Sequence, residues 1–76
     1  MPTSKDHKKM LATIAANIKK LREAKGWSQA ELAGKMYKDK QAIQRIETGE
    51  INPRFLTLVE IAEALGVPVF DLLKGV

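Results

Sequence analysis

The sequence predicts an all-α fold of five short helices in a single domain. Apolar residues recur at intervals of three or four along most of the 76 residues, and no stretch shows the alternation typical of a strand. Glycine, proline or a capping residue separates the helical stretches. We place a flexible polar arm at residues 1–7 and the helical domain at residues 8–76.

Composition excludes several classes of protein. Cysteine is absent, which excludes disulfide bonds and thiolate metal sites. No apolar run approaches the roughly 20 residues that span a bilayer, and the N-terminus lacks the apolar segment of a signal peptide. We therefore expect a cytoplasmic protein with no membrane contact.

The net charge of +4 is unevenly distributed. Residues 1–45 hold eleven Lys and Arg against four Asp and Glu, whereas residues 46–76 hold two against five. This distribution is typical of a protein with one face towards a polyanion, and equally of an ordinary solvated surface.

The first two helices are indicated by an apolar stripe and by a capping pattern. Helix 1 should end near Lys25, with Gly26 as its left-handed stop. Its inward residues are Leu11, Ile14, Ala15, Ile18 and Leu21. Ser28 and Glu31 have the spacing of a capping box, which starts helix 2.

Helix 3 should run from about Lys40 to Thr48, with Asp39 as its N-cap and Gly49 as its stop. At about 100° per residue, Ile43 and Ile46 point inward, with Ala42 beside them. The opposite side carries polar residues, namely Lys40, Gln41, Gln44, Arg45 and Thr48. Such a helix suits the DNA major groove, where these side-chain types match the hydrogen-bonding edges of bases.

Helices 4 and 5 complete the predicted domain. Asn52-Pro53 marks a turn, and the inward residues of helix 4 should be Phe55, Leu58, Val59, Ala62 and Leu65. Helix 5 follows Val67-Pro68, and we expect Phe70 to join Phe55 in the core. The C-terminal region has more apolar residues than a small core needs, which favours a homodimer through the C-terminal helix. The seam residues would be Val67, Val69, Phe70, Leu73 and Val76.

The order of these motifs resembles the helix-turn-helix family of the phage λ repressor and Cro, often called the XRE family. The resemblance covers the chain from about Ile14 to Leu73. The motifs that carry it are Ser28-Gln29-x-x-Leu32-Ala33, Gln41-x-Ile43-x-x-Ile46-Glu47-x-Gly49 and Leu58-x-x-Ile61-Ala62-x-Ala64-Leu65-Gly66-Val67. It implies a five-helix λ-repressor-like DNA-binding domain in which helices 2 and 3 form the helix-turn-helix.

The resemblance also implies roles for individual residues. Lys40, Gln41 and Arg45 would face base edges, with a phosphate contact as the equal alternative for Lys40. Gln44 would contact either the bases or only the sugar-phosphate backbone of the DNA. Phosphate contacts would come from Gln29, Lys38, Thr48 and Arg54, with Gln29 also supporting Gln41. Arg22 and Glu47 would form a structural ion pair.

The turn before helix 3 departs from the family pattern at two positions. Many members have glycine where Tyr37 stands, and a positive φ is costly for tyrosine, so the sequence leaves the shape of this turn open. Lys38 replaces an apolar residue that usually packs inward, so it must point outward or snorkel.

The sequence therefore predicts sequence-specific binding of double-stranded DNA by a transcriptional regulator, most simply a repressor that binds an inverted repeat as a dimer. The alternative is a protein-interaction module on the same scaffold, such as an antitoxin-like protein. We identify no catalytic constellation, metal set, cofactor motif or small-molecule site, so we do not expect an enzyme.

Overall fold

The computed structural model describes residues 4–76, with side chains from Asp6 onward. Over this range the chain forms four α-helices and a C-terminal 3-10 turn, without strands. The elements are α1 (Ser4–Ala24), α2 (Gln29–Lys35), α3 (Lys40–Glu47), α4 (Phe55–Leu65) and the 3-10 turn (Val69–Leu72). The all-α prediction is confirmed, but the fifth predicted helix is only this short turn.

The first helix begins earlier than the sequence indicated. Residues 4–7, which we had assigned to a polar arm, belong to α1, and residues 1–3 lie outside the described range. Asp6 lies in the first turn, where its charge favours the positive end of the helix dipole. The division of the chain into an arm and a domain stays a prediction.

The core draws on all five elements. Its apolar residues include one fully buried side chain or more from each element, and each such side chain contributes about 1.5–3 kcal/mol to folding. The largest fully buried side chains are Ile18, Leu32, Ile43, Ile61, Leu65 and Leu72. Because α2 and α3 both contribute to this one core, their relative orientation is fixed by it.

Two residues predicted to be in the core are exposed. Phe55 is 62% exposed and Phe70 is 63% exposed. Phe55 is the first residue of α4, one turn before the buried Leu58, where no described element covers the continuation of the apolar stripe. On the 3-10 turn, Leu72 points into the core and Phe70 points outward. The prediction for both phenylalanines was therefore wrong.

The C-terminal segment is anchored to α1 by a side chain that the sequence analysis did not identify. Asn17 Nδ2 donates hydrogen bonds to the carbonyl oxygens of Leu72 and Lys74, both at 2.9 Å. These bonds hold the 3-10 turn against α1, so the orientation of Phe70 on the surface is defined.

The start of α2 has the predicted capping box. The Glu31 backbone N–H donates to Ser28 Oγ, and the Ser28 N–H donates to Glu31 Oε1, both at 3.0 Å. Two of the otherwise unsatisfied amide groups at the helix start are thereby satisfied.

Tyr37 ends α2 in a left-handed conformation. Its φ is 55°, the only positive φ of a described residue other than glycine. The Tyr37 and Lys38 N–H groups donate to the carbonyls of Gly34 and Ala33, at 3.2 and 2.9 Å, which closes the last turn of α2. The turn therefore keeps the shape that glycine usually allows, although tyrosine occupies the position.

We expect Tyr37→Gly to raise the free energy of unfolding by about 1 kcal/mol, because glycine adopts a positive φ without the clash of a Cβ atom. The Tyr37 side chain is 97% exposed, so its removal sacrifices no packing. Urea unfolding followed by circular dichroism measures the change. Tyr37→Ala is the matched control and should stay near the parent. An equal gain for both variants would assign the strain to the ring instead of the backbone.

Candidate nucleic-acid interface

α3 has one buried side and one polar side. Ile43 and Ile46 are buried, and Ala42 is half-buried. The opposite side is exposed, and its side chains make no hydrogen bond or ion pair with any described residue. These side chains are Lys40, Gln41, Gln44 and Arg45. They are consequently available to an external partner along the whole length of the helix.

Arg22 and Glu47 form an ion pair between α1 and the end of α3. Arg22 Nε lies 2.7 Å from Glu47 Oε2, and Arg22 Nη2 lies 2.9 Å from Oε1, so the pair is bidentate. The exposed fractions of the two side chains are 9% and 2%. The hydrogen bond to Glu47 raises the pKa of Arg22 above its usual range, because it stabilises the charged guanidinium.

The Glu47 carboxylate joins three helices, because Gln29 at the start of α2 also contacts it. Gln29 Nε2 donates to Glu47 Oε1 at 3.1 Å, and Arg22 Nη1 donates to the Trp27 carbonyl at 2.7 Å. The network fixes α3 relative to both α1 and the start of α2. Neither the Gln29 contact nor the Trp27 contact was predicted from the sequence; the family resemblance implied instead that Gln29 supports Gln41.

The other side chains predicted to contact phosphates differ in whether they already make a hydrogen bond within the protein. Lys38 in the turn is exposed, and Arg54 is exposed at the residue before α4 without capping that helix. The Thr48 hydroxyl is turned back onto α3 and donates to the Arg45 carbonyl at 3.0 Å. Lys38 and Arg54 can therefore donate hydrogen bonds to a phosphate directly, whereas the Thr48 hydroxyl would first have to release its bond to the Arg45 carbonyl.

Asp39 does not cap α3 with its side chain. Its backbone has the extended conformation of an N-cap, with φ of −78° and ψ of 150°, but its carboxylate accepts no capping hydrogen bond. Ser28 occupies the same position of α2 with nearly the same backbone and does make that bond. Asp39 is thus the N-cap residue of α3 by position, as predicted, but its side chain does not contribute the capping hydrogen bond.

Trp27 packs between the helices rather than projecting as a free aromatic surface. It is half-buried against the core, and Lys35 Nζ lies 4.6 Å and Lys25 Nζ 5.7 Å from its ring centroid. Such cation–π contacts favour the packed position of the ring. Trp27 therefore has a structural role at the start of α2.

No helix among residues 4–76 is both long and apolar enough to cross a bilayer. No group of three or more His, Cys, Asp or Glu residues in the described part of the chain is placed to hold a metal ion.

Comparison with known proteins finds one family. The family model described as helix-turn-helix matches residues 18–72, which is more than half of the chain. The uncharacterised HTH-type transcriptional regulator y4dJ of Sinorhizobium fredii is 35% identical over 63 residues, covering 83% of this chain and 82% of the relative. A hypothetical transcription factor of Neisseria meningitidis is 34% identical over 68 residues, covering 90% of this chain and 64% of the relative.

Solved structures agree with the sequence relatives. The crystal structure of the hypothetical transcription factor NHTF from Neisseria has a TM-score of 0.81 and 34% identity, covering 84% of this chain and 74% of that one. The restriction-modification controller protein C.AhdI from Aeromonas hydrophila has a TM-score of 0.83 and 30% identity, covering 88% and 97%. The chain therefore belongs to the XRE-type helix-turn-helix family of DNA-binding transcriptional regulators.

Proposed function

We propose that the protein binds double-stranded DNA sequence-specifically, with α3 in the major groove, and represses transcription from the site it occupies. The observation that carries the proposal is the exposed, unpartnered polar side of α3, held in place by the buried Arg22–Glu47 pair. An arginine can bind guanine through two hydrogen bonds and a glutamine can bind adenine in the same way. Arg45 and Gln41 are therefore the proposed base-reading residues.

The neighbouring side chains would fix the position of α3 on the duplex. Lys40 reaches a base or a phosphate, and Gln44 a base or the backbone at the edge of the groove. Gln29 would use the amide hydrogen that Glu47 leaves free to bind a phosphate, with Lys38 and Arg54 beside it. Thr48 stays in this set as the weakest member, because its hydroxyl is already bonded to α3.

We propose that the protein acts as a homodimer on an inverted repeat, since one small domain reads few base pairs and half-sites about 34 Å apart require two. The supporting surface keeps Phe70 and Val76 of the predicted seam, which are exposed, whereas Val67, Val69 and Leu73 are partly buried against the core. The large apolar residues that are exposed in the described range are Met10, Tyr37 and a set from the C-terminal part of the chain, namely Ile51, Phe55, Leu56, Phe70 and Val76. We name this set the apolar surface.

Introducing negative charge on the apolar surface should weaken self-association. For Leu56→Asp combined with Phe70→Asp, we expect the dimer dissociation constant to rise at least about tenfold, because each carboxylate would be buried without a partner. Sedimentation equilibrium measures it. Tyr37→Asp is the matched control, because it also replaces an exposed ring with a carboxylate but does not belong to the apolar surface. It should leave the dimer dissociation constant unchanged. Unchanged association of the double variant would place the dimer contact elsewhere.

Selection from a random duplex library, sequenced after several rounds at moderate salt, tests the proposed function directly. An enriched inverted repeat is the expected result. Binding that disappears with salt and enriches no sequence would indicate non-specific electrostatic attraction. No binding by folded protein would favour the alternative of a protein-interaction module, whose partner would then cover the apolar surface. A cytoplasmic location without enzymatic activity is part of the same proposal.

A further inference from the structure

Asp39 has an unpaired carboxylate at the N-terminal end of α3, the proposed recognition helix. It is exposed, and it makes no hydrogen bond or ion pair through its side chain with any described residue. Its neighbours Lys38 and Lys40 are also exposed, and neither lies within ion-pair distance. The carboxylate is thus neither used by the fold nor neutralised by it.

The lack of a capping bond is a property of the side chain and not of the backbone. The φ and ψ of Asp39 are −78° and 150°, and those of Ser28, which caps α2 through its hydroxyl, are −78° and 168°. Aspartate is among the favoured capping residues, so the backbone would permit the bond. The Asp39 carboxylate therefore leaves the first backbone N–H groups of α3 without a side-chain acceptor.

DNA offers few binding partners to a carboxylate at this position. It is an acceptor only, so phosphate oxygens repel it and only an exposed donor can bind it. In the major groove the exocyclic amines are the donors, and the N4 amine of cytosine is the usual partner of aspartate and glutamate. Adenine offers its amine beside an acceptor, N7, which favours an amide over a carboxylate.

We propose that Asp39 is a specificity-determining residue that selects a cytosine next to the base contacted from the first turn of α3. This inference rests on the proposed function, because it requires α3 to enter the major groove with its N-terminal end. Lys38 and Lys40 flank the carboxylate and would bind the phosphates on either side, which offsets its repulsion from the backbone. The residue would therefore contribute discrimination more than affinity.

The test compares the parent with Asp39→Asn in the same random-duplex selection. Asparagine keeps the size and the capping ability of aspartate but reads adenine instead of cytosine. We expect the parent to prefer cytosine at one position by about tenfold, and the variant to lose that preference in favour of adenine while all other positions stay unchanged.

Glu60→Gln is the matched control, because it removes one exposed carboxylate from α4 and leaves α3 intact. It should preserve the preference for cytosine. Asp39→Ala, checked for folding by circular dichroism, should relax the same position towards all four bases.

The outcomes separate this inference from the proposed function. A parent motif that Asp39→Asn leaves unchanged would overturn the inference alone. A uniform gain of affinity for every sequence in Asp39→Asn would also overturn it, since the carboxylate would then act only by repelling phosphates. Absence of any enriched motif for the parent would overturn the proposed function, and the inference with it.

Discussion

Replacing Glu47 with alanine is expected to lower the free energy of unfolding by about 3 kcal/mol. The substitution removes the carboxylate that accepts hydrogen bonds from both Arg22 Nε and Arg22 Nη2. It leaves the Arg22 guanidinium without this partner on a side chain that is only 9% exposed. A buried charge that loses its partner retains the penalty of desolvation without the attraction that offset it. Gln29 loses its hydrogen bond in the same variant.

Urea unfolding of Glu47→Ala measures this loss, with Glu50→Ala as the matched control. Glu50 is an exposed glutamate three residues further along the chain, and its replacement should change the free energy of unfolding by less than about 0.5 kcal/mol. Equal effects of the two substitutions would show that the ion pair contributes little to stability.

A double replacement separates the attraction within the pair from the penalty of an orphaned charge. In Arg22→Met combined with Glu47→Leu, both charges are exchanged for apolar side chains of similar size. Such exchanges are often neutral or stabilising, so we expect the double variant to be more stable than Glu47→Ala. Its DNA affinity should nevertheless be lower than that of the parent, because no carboxylate then holds the Gln29 side chain at the start of α2.

Local patterns explain why much of the fold could be predicted from the sequence. The bond between Ser28 and Glu31 depends on residues three apart, and the sides of α3 follow from the helical period. The exposure of Phe55 does not depend on the period alone, since its position is in phase with Leu58. It depends on whether another element covers the first turn of α4, which is a property of the tertiary structure.

The candidate site shows the same division. The amphipathic character of α3 is visible in the sequence, and the Arg22–Glu47 pair was expected only through the resemblance to a family. The contact between Gln29 and Glu47 joins residues 18 positions apart and has no sequence signal of its own. Tyr37 is the converse case, in which the tertiary packing of α2 and α3 outweighs a local preference and imposes a positive φ.

Arg45→Ala should weaken binding to the preferred DNA site by about 1–3 kcal/mol and relax the base preference at one position. Arg45 is exposed on α3, and its guanidinium makes no hydrogen bond or ion pair with a described residue, so the substitution should leave folding unchanged. Fluorescence anisotropy with the selected site and with single-base variants of it measures both effects. The loss should be concentrated on the site that carries guanine at the contacted position.

Arg45→Lys distinguishes base reading from charge. Lysine keeps the positive charge but lacks the planar pair of donors that binds guanine, so the preference should weaken while the salt dependence of binding stays the same. If Arg45 instead bound a phosphate, Arg45→Ala would weaken binding to every sequence equally and lower the salt slope by about 0.9, and Arg45→Lys would restore both. The two substitutions together therefore decide whether α3 reads the sequence through Arg45 or only holds the backbone there.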